Sequence, residues 1–265
     1  MGKSVNYVER FRESIAEGRP VVGTEITLTD PLASEAAAEA GSDFLWIETE
    51  HSHLDLPSVV AHLLAARAAQ IPAFVRVAWN DPVLIKRVID LAPAGIIIPM
   101  VCTPEEAKTA VSAFRYPPNG IRGWGPVRNM MYFDSTDEYI AAAPNQVLCI
   151  IQIEHIDAVH NLDAILAVPG IHSIVIGPGD LSVSMGKPGK RDDPEIKKMI
   201  DTIISKTTAS GLMIGTSIGF DTDTVCNWFE KGVQWFALGD TIGHISEGTA
   251  AVMQGVRDLK LSRYK

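Results

Sequence analysis

Eight short apolar runs recur along the chain with helix-forming stretches between them, and this alternation restricts the fold more than any other feature. The runs are Val21 to Ile26, Phe44 to Thr49, Ala73 to Val77, Gly95 to Met100, Val147 to Glu154, Ser173 to Gly177, Leu212 to Ser217 and Gln234 to Gly239. Most are apolar throughout, as Ile96, Ile97 and Ile98 show. Strands buried on both faces have this pattern, and parallel sheets bury both faces. Helices are expected over Pro31 to Ala40, ending at Gly41, and over Leu56 to Ala69. Asp81-Pro82 and Thr103-Pro104-Glu105-Glu106 have the cap residue and first-turn proline of two further helix starts. Asp157 to Val168, Asp193 to Ser210, Asp221 to Lys231 and Ser246 to Leu261 complete the set. Eight strands alternating with helices predict an α/β fold with a parallel sheet, and eight is the number that closes a (β/α)8 TIM barrel. A doubly wound open sheet is the rival, but no G-x-G-x-x-G follows the first run. The 265 residues suit one barrel domain over 1–265, with a helical extension over 1–20, since such barrels take roughly 250 residues.

Hydrophobic residues at 46% suffice for one large core, and charged residues at 21% lie near the average of about 25% for soluble proteins, which argues against disorder. The net charge of -9 disfavours a nucleic-acid partner, which needs clustered cations. No apolar run reaches the ~18 residues of a membrane helix. Glu9, Arg10, Arg12 and Glu13 interrupt the N-terminal segment where a signal-peptide core would stand, so a cytoplasmic chain is expected. Cys102, Cys149 and Cys226 are too widely spaced for a zinc site or a disulfide framework.

The segment 116–135, YPPNGIRGWGPVRNMMYFDS, breaks the rhythm. A long loop rich in turn formers and aromatics suits a substrate-facing lid or a subunit contact. Chemistry in a (β/α)8 barrel sits where the strands end, so polar residues there are the candidates. Gln152 and Glu154 are two apart on one strand and point the same way, into the barrel. A carboxylate there must be paired or bind a metal. Glu154 and Asp180, from adjacent strands, can converge on Mg2+ or Mn2+, with Co2+ as a further option; the alternative is a buried ion pair between Glu154 and Arg76. Arg76, inside an apolar strand, needs an anion: a substrate carboxylate, a developing oxyanion or a structural partner. His51, between Glu50 and the loop and close to Glu48, is either a general base or a structural histidine. Glu25 lies on the first strand. His53 is expected at the surface and His155 pointing outward, while His62, His160, His172 and His244 have no partner legible in the sequence. Gly177-Pro178-Gly179-Asp180 opens a turn whose amides can hold a carboxylate.

Taken together, EHSH at 50–53, VRVAWNDP at 75–82, IIIPM at 96–100, RYPPNGIRG at 115–123, QIE at 152–154 and GPGDLS at 177–182 resemble the metal-dependent HpcH/HpaI aldolases. That family includes 4-hydroxy-2-oxoheptanedioate aldolase and 2-keto-3-deoxy-sugar-acid aldolases. The resemblance spans roughly residues 20 to 245. It implies a phosphoenolpyruvate/pyruvate-type barrel, a homo-oligomer (trimer or hexamer) with the last helix exchanged between subunits, and reversible cleavage of a 4-hydroxy-2-keto acid to pyruvate and an aldehyde through a metal-stabilised enolate. It places the metal on Glu154 and Asp180, the substrate oxygens on Arg76 and Gln152, and the base on His51. It further implies that Asp90 orients that base and that the Gly179 and Asp180 amides hold the pyruvate carboxylate. Glu48 stands where the family commonly has Asp. Met213 to Ser217 and Trp124 to Arg128 depart from the family pattern in regions facing the aldehyde half, so Trp124 and Ser217 are expected at that half.

A CoA-ester lyase on the same barrel and a catalytically inactive scaffold are the rival functions, with oxaloacetate decarboxylation as a side activity of the same enolate. No lysine falls on the eight runs, which favours metal over Schiff-base chemistry.

Overall fold

A computed structural model describes residues 5–259. In chain order its elements are α1 (Val8–Ala16), β1 (Val21–Ile26), α2 (Leu32–Glu39), β2 (Phe44–Glu48), α3 (Leu56–Ala68), β3 (Ala73–Arg76), α4 (Pro82–Ile89), β4 (Gly95–Ile98), α5 (Pro104–Phe114), α6 (Val127–Met130) and α7 (Thr136–Gln146). They continue with β5 (Leu148–Ile153), α8 (Ile156–His160), α9 (Leu162–Leu166), β6 (Ser173–Ile176), α10 (Pro178–Ser184), α11 (Pro194–Ser210), β7 (Met213–Ile218), α12 (Thr222–Glu230), β8 (Trp235–Asp240) and α13 (Thr241–Arg257). All eight predicted strands are present. They close a parallel barrel in sequence order, with Val21 of β1 registered on Trp235 of β8.

Strand alternation divides the apolar residues into two shells. Phe44, Trp46, Phe74, Ile97, Leu148, Ile150, Val175 and Trp235 turn inward and pack together. Leu45, Ile47, Val75, Ile96, Ile98, Ile151, Ile174 and Ile176 turn outward against the helices. Two glycines make room for the large inner rings. A Cβ on Gly23 would lie 2.3 Å from the Phe44 carbonyl, and one on Gly215 would lie 2.0 Å from the Trp235 ring. α1 then covers the N-terminal end of the barrel. Its Phe11 meets Phe74 at 4.8 Å and Phe44 at 6.0 Å between ring centroids, edge to face.

The predicted caps operate. Asp81, Asp193 and Asp221 accept from first-turn amides, and Thr103 with Glu106 forms a full capping box. Several boundaries differ from expectation. The last helix begins at Thr241, not Ser246, because Asp240 caps it through the Ile242 and Gly243 amides; residues 260 and 261 of the expected helix, like 1–4 of the N-terminal extension, lie outside the described residues. The helix expected over 157–168 divides into α8 and α9 at Asn161, whose side chain donates to the Cys102 carbonyl at 2.9 Å. α7 was not expected. Its internal Pro144 disguises it, although Ser135 accepting from the Glu138 amide is a legible cap.

Segment 116–135 follows α5 and therefore sits at the N-terminal end of the barrel, away from the strand C-termini. Arg122 pairs with Asp90 at 2.9 Å, Asn129 donates to the Ile89 carbonyl at 3.2 Å, and the Arg67 guanidinium lies over the Tyr132 ring. Three of the four histidines without legible partners acquire them in three dimensions. His62 is buried between the Ser34 hydroxyl and the Leu28 carbonyl, His172 accepts from the Cys149 amide, and His244 meets Thr24.

Candidate active site

Inward rows that are apolar deep in the barrel become polar at its C-terminal mouth. Glu25 ends the row of β1, Glu48 that of β2, Arg76 that of β3 and Ser217 that of β7, while Gln152 and Glu154 stand at the end of β5.

Glu48 organises one side. Its Oε2 accepts from the Trp46 indole at 3.0 Å and from Arg76 Nε at 2.6 Å, and its Oε1 accepts from the Glu50 and His51 amides at 2.6 and 2.8 Å. Four donors on one carboxylate make burial of its charge tolerable. They also aim the arginine and set the turn that carries His51. Arg76 lies 3.2 Å from Glu50 and sits over the Trp46 ring. Burial draws the guanidinium pKa down, but Glu48, Glu50 and Glu25 more than offset it, so the net shift is upward. The Arg76–Glu154 ion pair considered as an alternative is absent; Glu48 and Glu50 are the arginine's partners.

Opposite stands Glu154, buried, its Oε1 accepting from the Met100 amide at 2.8 Å and its Oε2 from the Gln152 side chain. Burial raises its carboxyl to about 7, and Glu50 and Asp180 push the same way. Burial likewise lifts Glu50 to about 7, against the pull of Arg76. Gly177 of the β6 turn leaves the space these groups use: a Cβ there would fall 2.7 Å from Glu154 Oε2 and 3.0 Å from Gln152 Nε2. Asp180 follows in the first turn of α10, exposed at the mouth, and the Gly179 and Asp180 amides lie where helix N–H groups lack intrahelical partners. Gln152 Oε1 and Glu50 Oε2 are buried without a hydrogen-bond partner.

Among the described residues no three His, Cys, Asp or Glu side chains are set around one ion. The donor set instead fits a hard divalent cation held by two carboxylates, with water and substrate oxygens completing the shell. The buried Glu154 and the half-buried Glu50, both lifted to about 7, also fit a place where positive charge is wanted.

His51 stands at the rim with its side chain 63% exposed, 3.8 Å from Glu50. Two residues expected at the site, Asp90 beside His51 and Trp124 at the aldehyde half, are not brought to the mouth. Asp90 is the C-cap of α4, at the far end of the barrel, and pairs there with Arg122; within one chain it does not orient His51. Trp124, 57% exposed, lies against Tyr116 and Tyr139 at that same far end, so it does not line this chain's own mouth. Ser217 does reach the mouth, where its hydroxyl donates to Glu25. Burial raises the Glu25 carboxyl above its usual range, with Ser217 and Arg76 opposing. The Met100 amide was not legible. Met100 itself takes a left-handed φ of 54°, a conformation rare outside glycine.

A family model described as HpcH/HpaI aldolase/citrate lyase matches residues 26–247. The chain belongs to this HpcH/HpaI family. It is an aldolase-type carbon–carbon lyase. The 5-keto-4-deoxy-D-glucarate aldolase of Citrobacter koseri is 32% identical over 92% of this chain and 94% of its own. Among solved structures, an HpcH/HpaI aldolase from Desulfitobacterium hafniense is 26% identical with a TM-score of 0.87, covering 94% of this chain and 96% of that one. The citrate synthase SbnG is 29% identical with a TM-score of 0.85, covering 96% and 98%. Aldolase relatives that match nearly end to end favour the aldolase over the CoA-ester lyase. Among the described residues no helix is long and apolar enough to cross a membrane.

Proposed function

We propose that this HpcH/HpaI member cleaves a 4-hydroxy-2-keto acid between C3 and C4, with Glu154 and Asp180 holding Mg2+ or Mn2+. The observation that carries this reading is the buried Glu154, set against Gly177 at the head of the Gly177–Asp180 turn and without an arginine or lysine partner among the described residues, with Arg76 and its partners Glu48 and Glu50 at the same mouth. When bound, the divalent cation supplies Lewis-acid polarisation of the 2-keto group. Arg76, aimed by Glu48, stabilises the negative charge that develops on the keto oxygen as the bond breaks. Gln152 offers an unpaired amide oxygen and the α10 amides receive the 1-carboxylate. His51, at the wet rim, takes the 4-hydroxyl proton directly or through water. The electron pair of the C3–C4 bond passes into the pyruvate enolate, the aldehyde departs, and C3 is reprotonated from solvent. The strands carry no lysine, in keeping with a route that needs no imine.

Chelation tests it. EDTA-treated enzyme should lose pyruvate release, read by a coupled lactate dehydrogenase assay, and added Mn2+ or Mg2+ should restore it. Full turnover in stripped protein would refute the metal.

We further propose that copies assemble through α13. Only Thr241 of that helix is buried, while Ile245, Val252 and Val256 are exposed. Beside it a groove of about 500 Å³ opens between β1, α2 and β8, lined by Leu28, Ala33, Ala37 and Leu238, which suits the last helix of a second copy. Ile121, Trp124, Val127 and Met131, exposed on segment 116–135, favour its role as a contact between copies over a lid on its own site. Light scattering should give a mass of several chains, and truncation after Ser246 should reduce it.

A further inference from the structure

The ring of polar side chains at the mouth divides into two arcs. Over β2, β3, β5 and β6 stand the residues assigned above to the keto-acid half. Over β7, β8 and β1 stand Ser217, Asp240 and Glu25, which that chemistry does not use. Glu25 is the third inward position of β1 after Val21 and Gly23, so its carboxylate enters the barrel above the Trp46 layer. The Ser217 hydroxyl, reaching across β8, donates to Glu25 Oε1, and Oε2 accepts no hydrogen bond among the described residues. Gln152 Oε1, buried and unpaired, also lacks a protein partner, so the site offers open acceptors on both arcs.

This second arc holds no cation. Neither β1, β7 and β8 nor the segments that follow them at the mouth, 27–31, 219–221 and 241–256, contain Lys or Arg, and they contain Asp30, Asp221 and Glu247 besides Asp240. Of the arginines at the mouth, Arg76 is already held by Glu48 and Glu50, and Arg191 reaches Gly179 on the keto-acid side. A carboxylate brought into this arc would lose its water and meet the Glu25 and Asp240 carboxylates, while Arg76, the cation acting on Glu25, is engaged by Glu48 and Glu50. A hydroxyl there finds an acceptor already positioned. The glucarate skeleton in the name of the Citrobacter koseri relative carries a carboxylate at each end, one of which falls on the aldehyde product.

We infer that this enzyme takes an uncharged, hydroxylated aldehyde half, with Glu25 accepting a hydrogen bond from the hydroxyl next to the aldehyde carbon and Ser217 positioning Glu25. The inference rests on the proposed pyruvate-enolate chemistry. In the synthetic direction pyruvate C3 loses a proton, its electron pair forms the C3–C4 bond, and the aldehyde oxygen gains a proton. Glu25 transfers nothing and acts on specificity alone.

The test uses full-length, metal-loaded enzyme with pyruvate and an acceptor panel: glycolaldehyde and glyceraldehyde, propionaldehyde, tartronate semialdehyde and succinic semialdehyde. The expected kcat/KM for the hydroxyaldehydes exceeds that for the two acidic acceptors and for propionaldehyde by about 10-fold or more. Glu25→Gln should narrow the hydroxyaldehyde-to-acid ratio by about 10-fold. Ser217→Ala should slow the hydroxyaldehydes while the acids stay slow. A wild-type preference for either acid overturns the inference, as does a ratio unmoved by Glu25→Gln. The wild-type panel decides the matter even if a variant fails to fold. Deuterium exchange at pyruvate C3, followed by NMR without an acceptor, separates the two proposals. Absent exchange refutes the enolate chemistry itself, whereas exchange combined with a preference for acids refutes only the acceptor class.

Discussion

At the N-terminal end of the barrel Phe11, Phe44, Phe74 and Trp235 pack ring against ring, whereas at the C-terminal end the inward residues of the strands include Glu25, Glu48 and Arg76. The lower layer needs only matching shapes, since apolar burial and dispersion act without direction. The upper layer is stable only as a mutually satisfied network, because each buried charge needs a partner. Glu48 achieves this with four donors, while Glu50 and Glu154 do not and are lifted to about 7. The network is incomplete where a substrate and a cation are proposed to complete it.

The contrast is broken most directly at Arg76. Arg76→Ala should lower kcat/KM on the order of 10²- to 10³-fold, leave the far-ultraviolet dichroism native, and lower the melting temperature because Glu48 loses its Nε donor; wild-type kinetics would refute the role assigned to the guanidinium. At the other end, Phe11→Ala should cost about 3–5 kcal/mol of stability in urea unfolding yet leave kcat within about twofold. A matching loss of activity would show that the two ends are not independent.

The smallest effect concerns His172, which accepts from the Cys149 amide and is held down to about 4 by burial, with Arg115 and Arg12 adding to it. A folded-state pKa below the ordinary value of about 6.5 means that the unfolded chain binds the proton more readily. The stabilisation is therefore complete above about pH 6.5 and is lost as pH falls toward 4, amounting to at most ~3 kcal/mol. Urea midpoints between pH 7 and 4 should fall in wild type and fall less steeply in His172→Gln. Identical slopes would remove His172 from the account.

Some of the site was legible because strand alternation is local. Gln152 and Glu154 share a face whatever else the chain does, and Arg76 in FVRV announces a buried cation. The arginine's partner was not legible. Glu48 and Glu154 are both strand-end acids, and only the β2–β3 register, Glu48 on Arg76, selects the first. Asp90 and Trp124 carry family-like motifs but occupy the opposite end of the barrel in one chain, because each lies beyond the helix that returns from the mouth.

By itself the sequence determined the strand count, the parallel order, most helix starts and the identity of the acids at the mouth, since period, caps and turn residues act over a few residues. Tertiary structure alone decided which acid holds Arg76, that Ser217 meets Glu25 across a separation of 192 residues, and that the mouth has one arc with a cation and one without. Those pairings arise only when β1 closes on β8, and ring closure brings together groups that no local pattern relates.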